Sequence, residues 1–169
     1  MTERVLNIRN VHHDDLDDCY AIEQIAYAGE EAASKEKIER RIQQYAEGFV
    51  VGELNGQVIG FINSGATDHV RLSDEAFKEL VGHDSAGRQI VIMSVVVHPD
   101  FQGHGYACQL LTHFIAEMKR LKKQSILLIC QQELIGFYQQ FGFRLLGESS
   151  SDHGGLSWHE MQLDLQPSY

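Results

Sequence analysis

Apolar residues recur along the chain with two spacings, one typical of helices and one typical of strands. Helical spacing predicts four helices, at residues 14–27, 34–46, 106–123 and 133–141. Alternating or continuous apolar runs predict strands at residues 5–11, 49–54, 57–64, 89–97, 125–130, 143–147 and 156–165. No internal repeat or linker interrupts this pattern, so we expect one domain over residues 1–169, with 166–169 as a tail.

Local signals refine the order of these elements. Asn55 and Gly56 lie between two apolar runs and predict a tight hairpin. The strand at 89–97 is apolar on both faces, as expected of a central strand that is covered on both sides. The polar stretch 65–88, with a short helical piece at 73–81, is either a functional loop or an ordinary insertion.

The hexapeptide Gln-Gly-His-Gly-Tyr-Ala at residues 102–107 lies between that strand and the third predicted helix. A helix start offers unpaired N–H groups and the positive end of a dipole, and therefore attracts phosphate. Gly103 and Gly105 allow unusual backbone angles and a close approach by a ligand, although a tight turn without a ligand would use them equally well. The loop is not a Walker loop, and the third glycine of a dinucleotide fingerprint is replaced by Cys108.

Two motifs at this separation resemble those of the GNAT superfamily of acetyl-CoA-dependent N-acetyltransferases. The superfamily's Arg/Gln-x-x-Gly-x-Gly/Ala loop is matched by Gln102, Gly105 and Ala107. Its later Phe-Tyr-x-x-x-Gly-Phe signature is matched by Phe137, Tyr138, Gly142 and Phe143. The resemblance extends over about residues 48–165, and within the superfamily it is greatest to the arylalkylamine N-acetyltransferases.

The resemblance implies an α/β fold with a mixed, mostly antiparallel sheet and helices on both faces. It also implies that the central strand splays from the strand that begins at Ser125, leaving a cleft for the pantetheine arm of acetyl-CoA. Backbone groups of Val95 and Val97 would pair with that arm as a missing strand would. The implied coenzyme-binding residues are Val95, Val96, Val97, Gln102, Gly103, His104, Gly105, Tyr106, Ala107, Phe137 and Tyr138.

Tyr138 is the implied catalytic residue, as the proton donor to the coenzyme thiolate. The alternative is a packed core tyrosine, because Leu134, Tyr138 and Phe141 fall on one helical face.

The two motifs say less about the residues that bind the acceptor amine. The resemblance places the first two helices and the loop 28–33 over the amine, with Tyr27, Glu30, Glu31 and Met93 as candidate substrate-binding residues. Two strand histidines of the arylalkylamine enzymes are replaced here by Val91 and Met93, neither of which can carry a proton. The general base therefore lies elsewhere, acts through water or is absent, and Glu30, Glu31, Asp68 and His69 are candidates.

Charge and cysteine content narrow the function classes. Asp and Glu number 24 against 14 Lys and Arg, giving a net charge of −10, which argues against nucleic-acid or anionic-membrane binding. This charge is compatible with a cationic substrate, but it could equally serve solubility alone. No signal-peptide core or long apolar run is found, and the three cysteines are scattered, so we expect a cytoplasmic protein, monomeric or homodimeric.

The predicted function is acetyl transfer from acetyl-CoA to a primary amine, with a small arylalkylamine or polyamine-like acceptor. Acetylation of a protein N-terminus or lysine is one alternative, and a non-catalytic acetyl-CoA-binding module is another. The histidines and aspartates at residues 12–18 are better explained by helix capping than by a metal, so we expect no metal site.

Overall fold

Seven strands form one open mixed sheet in the computed structural model, which describes residues 6–27, 32–68, 83–148 and 158–165. The strands are β1 (Asn7–Asn10), β2 (Val50–Leu54), β3 (Gln57–Thr67), β4 (Gln89–Val97), β5 (Ser125–Cys130), β6 (Arg144–Glu148) and β7 (His159–Asp164). Their order across the sheet is β1-β2-β3-β4-β5-β7-β6. The predicted central position of β4 and interior position of β5 are confirmed.

The contact between β4 and β5 is short. These two strands are parallel, whereas the other neighbours are antiparallel. Their pairing runs only from Gln89 opposite Ser125 to Val91 opposite Leu127, although β4 continues to Val97. The strands therefore separate toward their carboxyl ends, which confirms the predicted splay.

Helices cover both faces of the sheet. They are α1 (Leu16–Ala26), α2 (Lys35–Gln44), α3 (Tyr106–Arg120) and the short α4 (Ile135–Gln139). The residues Leu110 and Phe114 of α3 belong to a core cluster that includes Val97, whereas α1 and α2 pack in a second cluster that includes Val96. Because successive strand residues point to opposite faces, the two clusters lie on opposite sides of β4.

A β-bulge lies in the middle of β4. Asn63 pairs with Ser94 and Ser64 pairs with Ile92, so Met93 is the extra residue. Before the bulge, Ile92 faces the α3 cluster; after it, Ser94 lies on the side of α1, as its bond to that helix shows. The bulge thus turns the side chain of Ser94 toward α1 where β4 leaves β5.

The other elements follow their sequence signals closely. Asn55 and Gly56 have φ values of 53° and 82°, as a tight hairpin between β2 and β3 requires. The third helix ends at Arg120 rather than at residue 123, because Lys122 has φ 61° and leaves the helix. The predicted helix 73–81, the loop 149–155 and the tail 166–169 lie outside the described residues.

Candidate active site

The glycine loop leads from β4 into α3 through two left-handed residues. Gly103 and Gly105 have φ values of 82° and 80°, and Gly105 is the N-cap of α3. A Cβ atom built at either glycine would have no neighbour within 4 Å, so the loop has open space around both positions. The start of α3 therefore offers its unpaired amides next to a surface that a phosphate can approach.

A cavity of about 470 Å³ borders this loop and the part of β4 that lies beyond its pairing with β5. Its lining also includes residues at the start of α3 and at the end of α1, which pack on opposite faces of the sheet. The lining residues are Ala26, Tyr27, Val95, Val96, Val97, Phe101, Gln102, Gly103, Gly105, Tyr106, Ala107, Cys108, Leu134, Phe137 and Tyr138.

This cavity brings together most of the residues singled out from the sequence. Every predicted coenzyme-binding residue lines it except His104, whose exposed ring lies 5.9 Å from that of Tyr106. Of the candidate substrate-binding residues, Tyr27 lines the cavity, whereas Met93 is half-buried at the bulge and is not among the lining residues. Glu30 and Glu31 lie outside the described residues.

The candidate general bases in the loop after β3 fall elsewhere. Asp68 accepts a hydrogen bond from the backbone of Arg88, at 2.9 Å, beside the first residue of β4. The cavity borders the other end of that strand. His69 lies outside the described residues.

The edge of β4 that faces the splay carries the backbone groups of Val95 and Val97. His98 donates to Ile59 of β3, at 2.8 Å, so alternation along the strand directs the polar groups of Val95 and Val97 away from β3. Side chains bind both carbonyls: Tyr27 Oη lies 3.3 Å from the Val95 oxygen, and Gln102 Nε2 lies 3.1 Å from the Val97 oxygen. Each carbonyl oxygen has a second lone pair that can accept from a ligand.

Tyr138 of α4 also lines the cavity. Only 6% of the residue is exposed, and its ring packs edge-to-face against Phe137 and Phe143, with centroids 5.1 and 5.6 Å apart. The alternative of a packed core tyrosine is compatible with this burial, because Tyr138 belongs to the core cluster that includes Leu110 and Phe141 packs against that cluster. Leu134 is instead 46% exposed and precedes α4, which begins at residue 135. Burial raises the pKa of Tyr138 well above its ordinary value, so the phenol keeps its proton and can act as a donor.

Four lining residues were not identified from the sequence. Phe101 and Cys108 directly flank the glycine loop, and Ala26 precedes Tyr27, so adjacency in the chain was an available signal. Leu134 had instead been assigned to the buried face of a helix.

The cavity-lining residues named above include no imidazole and no carboxylate. In the described part of the chain, no group of three or more His, Cys, Asp or Glu side chains is placed to hold a metal ion. The helices within the described ranges are all too short or too polar to cross a membrane.

Comparison with known proteins agrees with this architecture. The model of the acetyltransferase (GNAT) family matches residues 11–143. Serotonin N-acetyltransferase of Mesocricetus auratus is 28% identical over 112 residues, which are 66% of this chain and 53% of that protein. The chain thus spans about half the length of this curated relative.

Two solved structures share the fold. The loading GNATL domain of CurA from Lyngbya majuscula superposes with a TM-score of 0.85 at 17% identity, over 96% of this chain and 98% of that one. The yncA protein of Salmonella typhimurium, solved with its cofactor acetyl-CoA, gives a TM-score of 0.67 at 21% identity, over 96% and 95%. Because the family model covers most of the sequence and the fold agrees with it, the chain belongs to the acetyltransferase (GNAT) family.

Proposed function

We propose that the chain is an N-acetyltransferase that moves an acetyl group from acetyl-CoA to a primary amine by direct transfer in a ternary complex. The observation that carries this proposal is the cavity beside the splay of β4 and β5, which is lined both by the glycine loop and by the end of α1. Acetyl-CoA would enter beside the glycine loop and the amine beside α1, so the two substrates would meet in this cavity. The likeness to serotonin N-acetyltransferase supports a small arylalkylamine acceptor, and the net charge of −10 is compatible with a polyamine-like one.

The coenzyme fits the residues that line the cavity. The amides at residues 102–107 would hold the pyrophosphate, since a glycine loop before a helix start suits an anion. The edge of β4 at Val95 and Val97 would bind the pantetheine arm, whose amides can pair with an exposed strand. Phe137 and Tyr138 would flank the thioester.

The reaction forms a carbon–nitrogen bond and breaks the carbon–sulfur bond of the thioester. The neutral amine attacks the carbonyl carbon, and the departing thiolate takes a proton from a donor. The nitrogen then loses one proton to solvent as the amide forms, and the donor regains a proton from solvent. Tyr138 is assigned the donor role because it lines the cavity as a protonated phenol. Binding of both reactants in one cavity would contribute to the rate independently of any proton transfer.

The proposal is tested by release of free coenzyme A thiol from acetyl-CoA. The panel contains 2-phenylethylamine, spermidine, and short peptides with either a free N-terminus or one lysine. Turnover on the small amines supports the proposal, and turnover on the peptides alone favours a protein acetyltransferase. Thermal stabilisation by acetyl-CoA without turnover on any panel member would favour a binding module and contradict the enzymatic function.

The pH dependence of the reaction is a first prediction. Val91 and Met93 stand where strand histidines would accept a proton, so the fraction of free amine should govern the rate. We expect kcat/KM for an alkylamine to rise up to about pH 10, near the pKa of ordinary amines. Because the pKa of Tyr138 is raised, its proton is lost only above that range and should cause no earlier fall in kcat.

A pH–rate profile measured with 2-phenylethylamine checks this prediction. A plateau of kcat/KM near pH 7 would contradict this prediction and would indicate a general base. Substitution of Glu30, Glu31 and His69 in turn would then locate that base.

Salt dependence is a second prediction. The net charge of −10 should attract a cationic acceptor, and this attraction is screened by salt. We expect kcat/KM for spermidine to fall as ionic strength rises at saturating acetyl-CoA, with the dependence on acetyl-CoA measured separately. Equal salt dependence for a neutral acceptor, or faster turnover of an acidic one, would contradict it.

A further inference from the structure

A carboxylate is buried between α1 and the middle of β4. Glu23 is only 1% exposed, and Ser94 Oγ donates to its Oε1 at 2.8 Å. The backbone amide of Ala33, just before α2, donates to the other carboxylate oxygen. Burying a charged carboxylate is costly unless it is well bonded, so a fold that keeps Glu23 here must satisfy it with these partners.

A buried cation balances this charge. Arg41 of α2 is 3% exposed, and its Nη1 lies 3.4 Å from Oδ1 of Asn63, the residue paired with Ser94 across the sheet. Burial lowers the pKa of Arg41, and the neighbouring negative charge of Glu23 opposes that change. The cluster therefore joins α1, α2, β3 and β4 at one point under the helices.

The contact between Glu23 of α1 and Ser94 of β4 lies next to the cavity. Tyr27 follows Glu23 by one helical turn and binds the carbonyl of Val95, while Glu23 binds the side chain of Ser94. Two successive turns of α1 are thus fixed to two successive residues of β4, directly after the bulge at Met93. Tyr27 and Val95 both line the cavity at its α1 end.

We propose that Glu23 is a positioning residue for acetyl transfer. By binding Ser94 it holds the last turn of α1 against β4, so that Tyr27 forms a fixed wall on the side from which the acceptor amine enters. Glu23 acts through Ser94 and Tyr27 and has no contact with the coenzyme. This inference rests on the proposed acetyltransferase function.

The test compares Glu23→Gln and Ser94→Ala with the wild type at saturating acetyl-CoA, using whichever panel amine the wild type acetylates fastest. We expect KM for the amine to rise about fivefold in each variant, as for the loss of one hydrogen bond, with kcat and the Kd of acetyl-CoA within about twofold. The double variant should be no worse than the poorer single one, because the two residues act as a unit. Ser94→Thr keeps the hydroxyl and should restore the wild-type KM.

Ser64→Ala is the matched control. Ser64 is a buried serine of β3 that donates to the carbonyl of Gly48 at 2.8 Å, and it is not among the cavity-lining residues. Thermal unfolding should show comparable destabilisation in Ser64→Ala and Ser94→Ala, but only Ser94→Ala should change the KM of the amine. If Glu23→Gln does not fold, Ser94→Ala still tests the positioning role, because this variant leaves the Glu23 carboxylate bonded to the amide of Ala33.

An unchanged amine KM in folded Ser94→Ala would overturn the positioning role. A KM shift of the same size in Ser64→Ala would do so as well, since a general loss of rigidity would then explain both. If the wild type acetylates no amine in the panel, the proposed function itself fails. If the wild type acetylates an amine and Ser94→Ala has the same KM for it, only the positioning role of Glu23 is contradicted.

Discussion

Replacing Tyr138 with phenylalanine is expected to lower kcat about 100-fold, at the lower end of the range for general acid–base catalysis. The substitution removes the hydroxyl and keeps the ring, which packs against Phe137 and Phe143. Those aromatic contacts remain in the variant, so the affinity for acetyl-CoA should stay nearly unchanged. Steady-state kinetics and calorimetry on the same preparation give the two quantities.

Tyr45→Phe is the matched control for this substitution. Tyr45 is also buried, with 2% exposed, and burial raises its pKa to about 12. Its hydroxyl has no hydrogen-bond partner among the described residues, and Tyr45 is not among the residues that line the cavity. Its loss should therefore leave kcat unaltered.

A purely structural Tyr138 predicts a different outcome. In that case Tyr138→Phe would retain wild-type kcat, and any effect would appear as a lower unfolding temperature. That result would remove Tyr138 from the mechanism.

The elements around the cavity were predictable because their signals are local. The glycines at 103 and 105 were expected to allow unusual backbone angles, and both have left-handed ones. The apolar runs of β4 and β5 indicated interior strands, and both are interior. The splay came from the resemblance to a family rather than from any residue pattern.

The bonds that join Glu23 and Tyr27 to β4 could not be predicted from the sequence alone. Tyr27 and Val95 are 68 residues apart, and Glu23 and Ser94 are 71 apart. Glu23 falls on the apolar face of the predicted first helix, three residues after Tyr20 and four after Cys19, so the spacing was compatible with its burial. Its partner Ser94 was not predictable, because the bulge at Met93 decides which face of the sheet that side chain occupies. Such a pairing is set by tertiary packing alone.

The burial of Lys123, just beyond α3, could not be predicted for a similar reason. Its Nζ donates to the carbonyls of Ser85 and Gly87, at 2.9 and 2.7 Å, and only 6% of the residue is exposed. The partners lie in a loop whose path the sequence does not specify.

Gly105→Val is expected to raise the Kd of acetyl-CoA at least ~10-fold, equivalent to about 1.4 kcal/mol. A Cβ atom at this position would meet no atom within 4 Å other than those of its chain neighbours, so the new side chain would project from the loop that borders the cavity. A branched side chain there should keep a phosphate away from the amides at the start of α3. Calorimetric titration with acetyl-CoA measures the change.

Backbone strain is the competing explanation, because Gly105 has φ 80° and a valine in that region costs about 1–2 kcal/mol. Gly56→Val separates the two effects. Gly56 has φ 82° and equally open surroundings, but it lies in the hairpin between β2 and β3, and it is not among the cavity-lining residues. Both variants should lose similar stability in thermal unfolding, and only Gly105→Val should lose affinity. Unchanged affinity in a folded Gly105→Val protein would show that the loop does not hold the pyrophosphate.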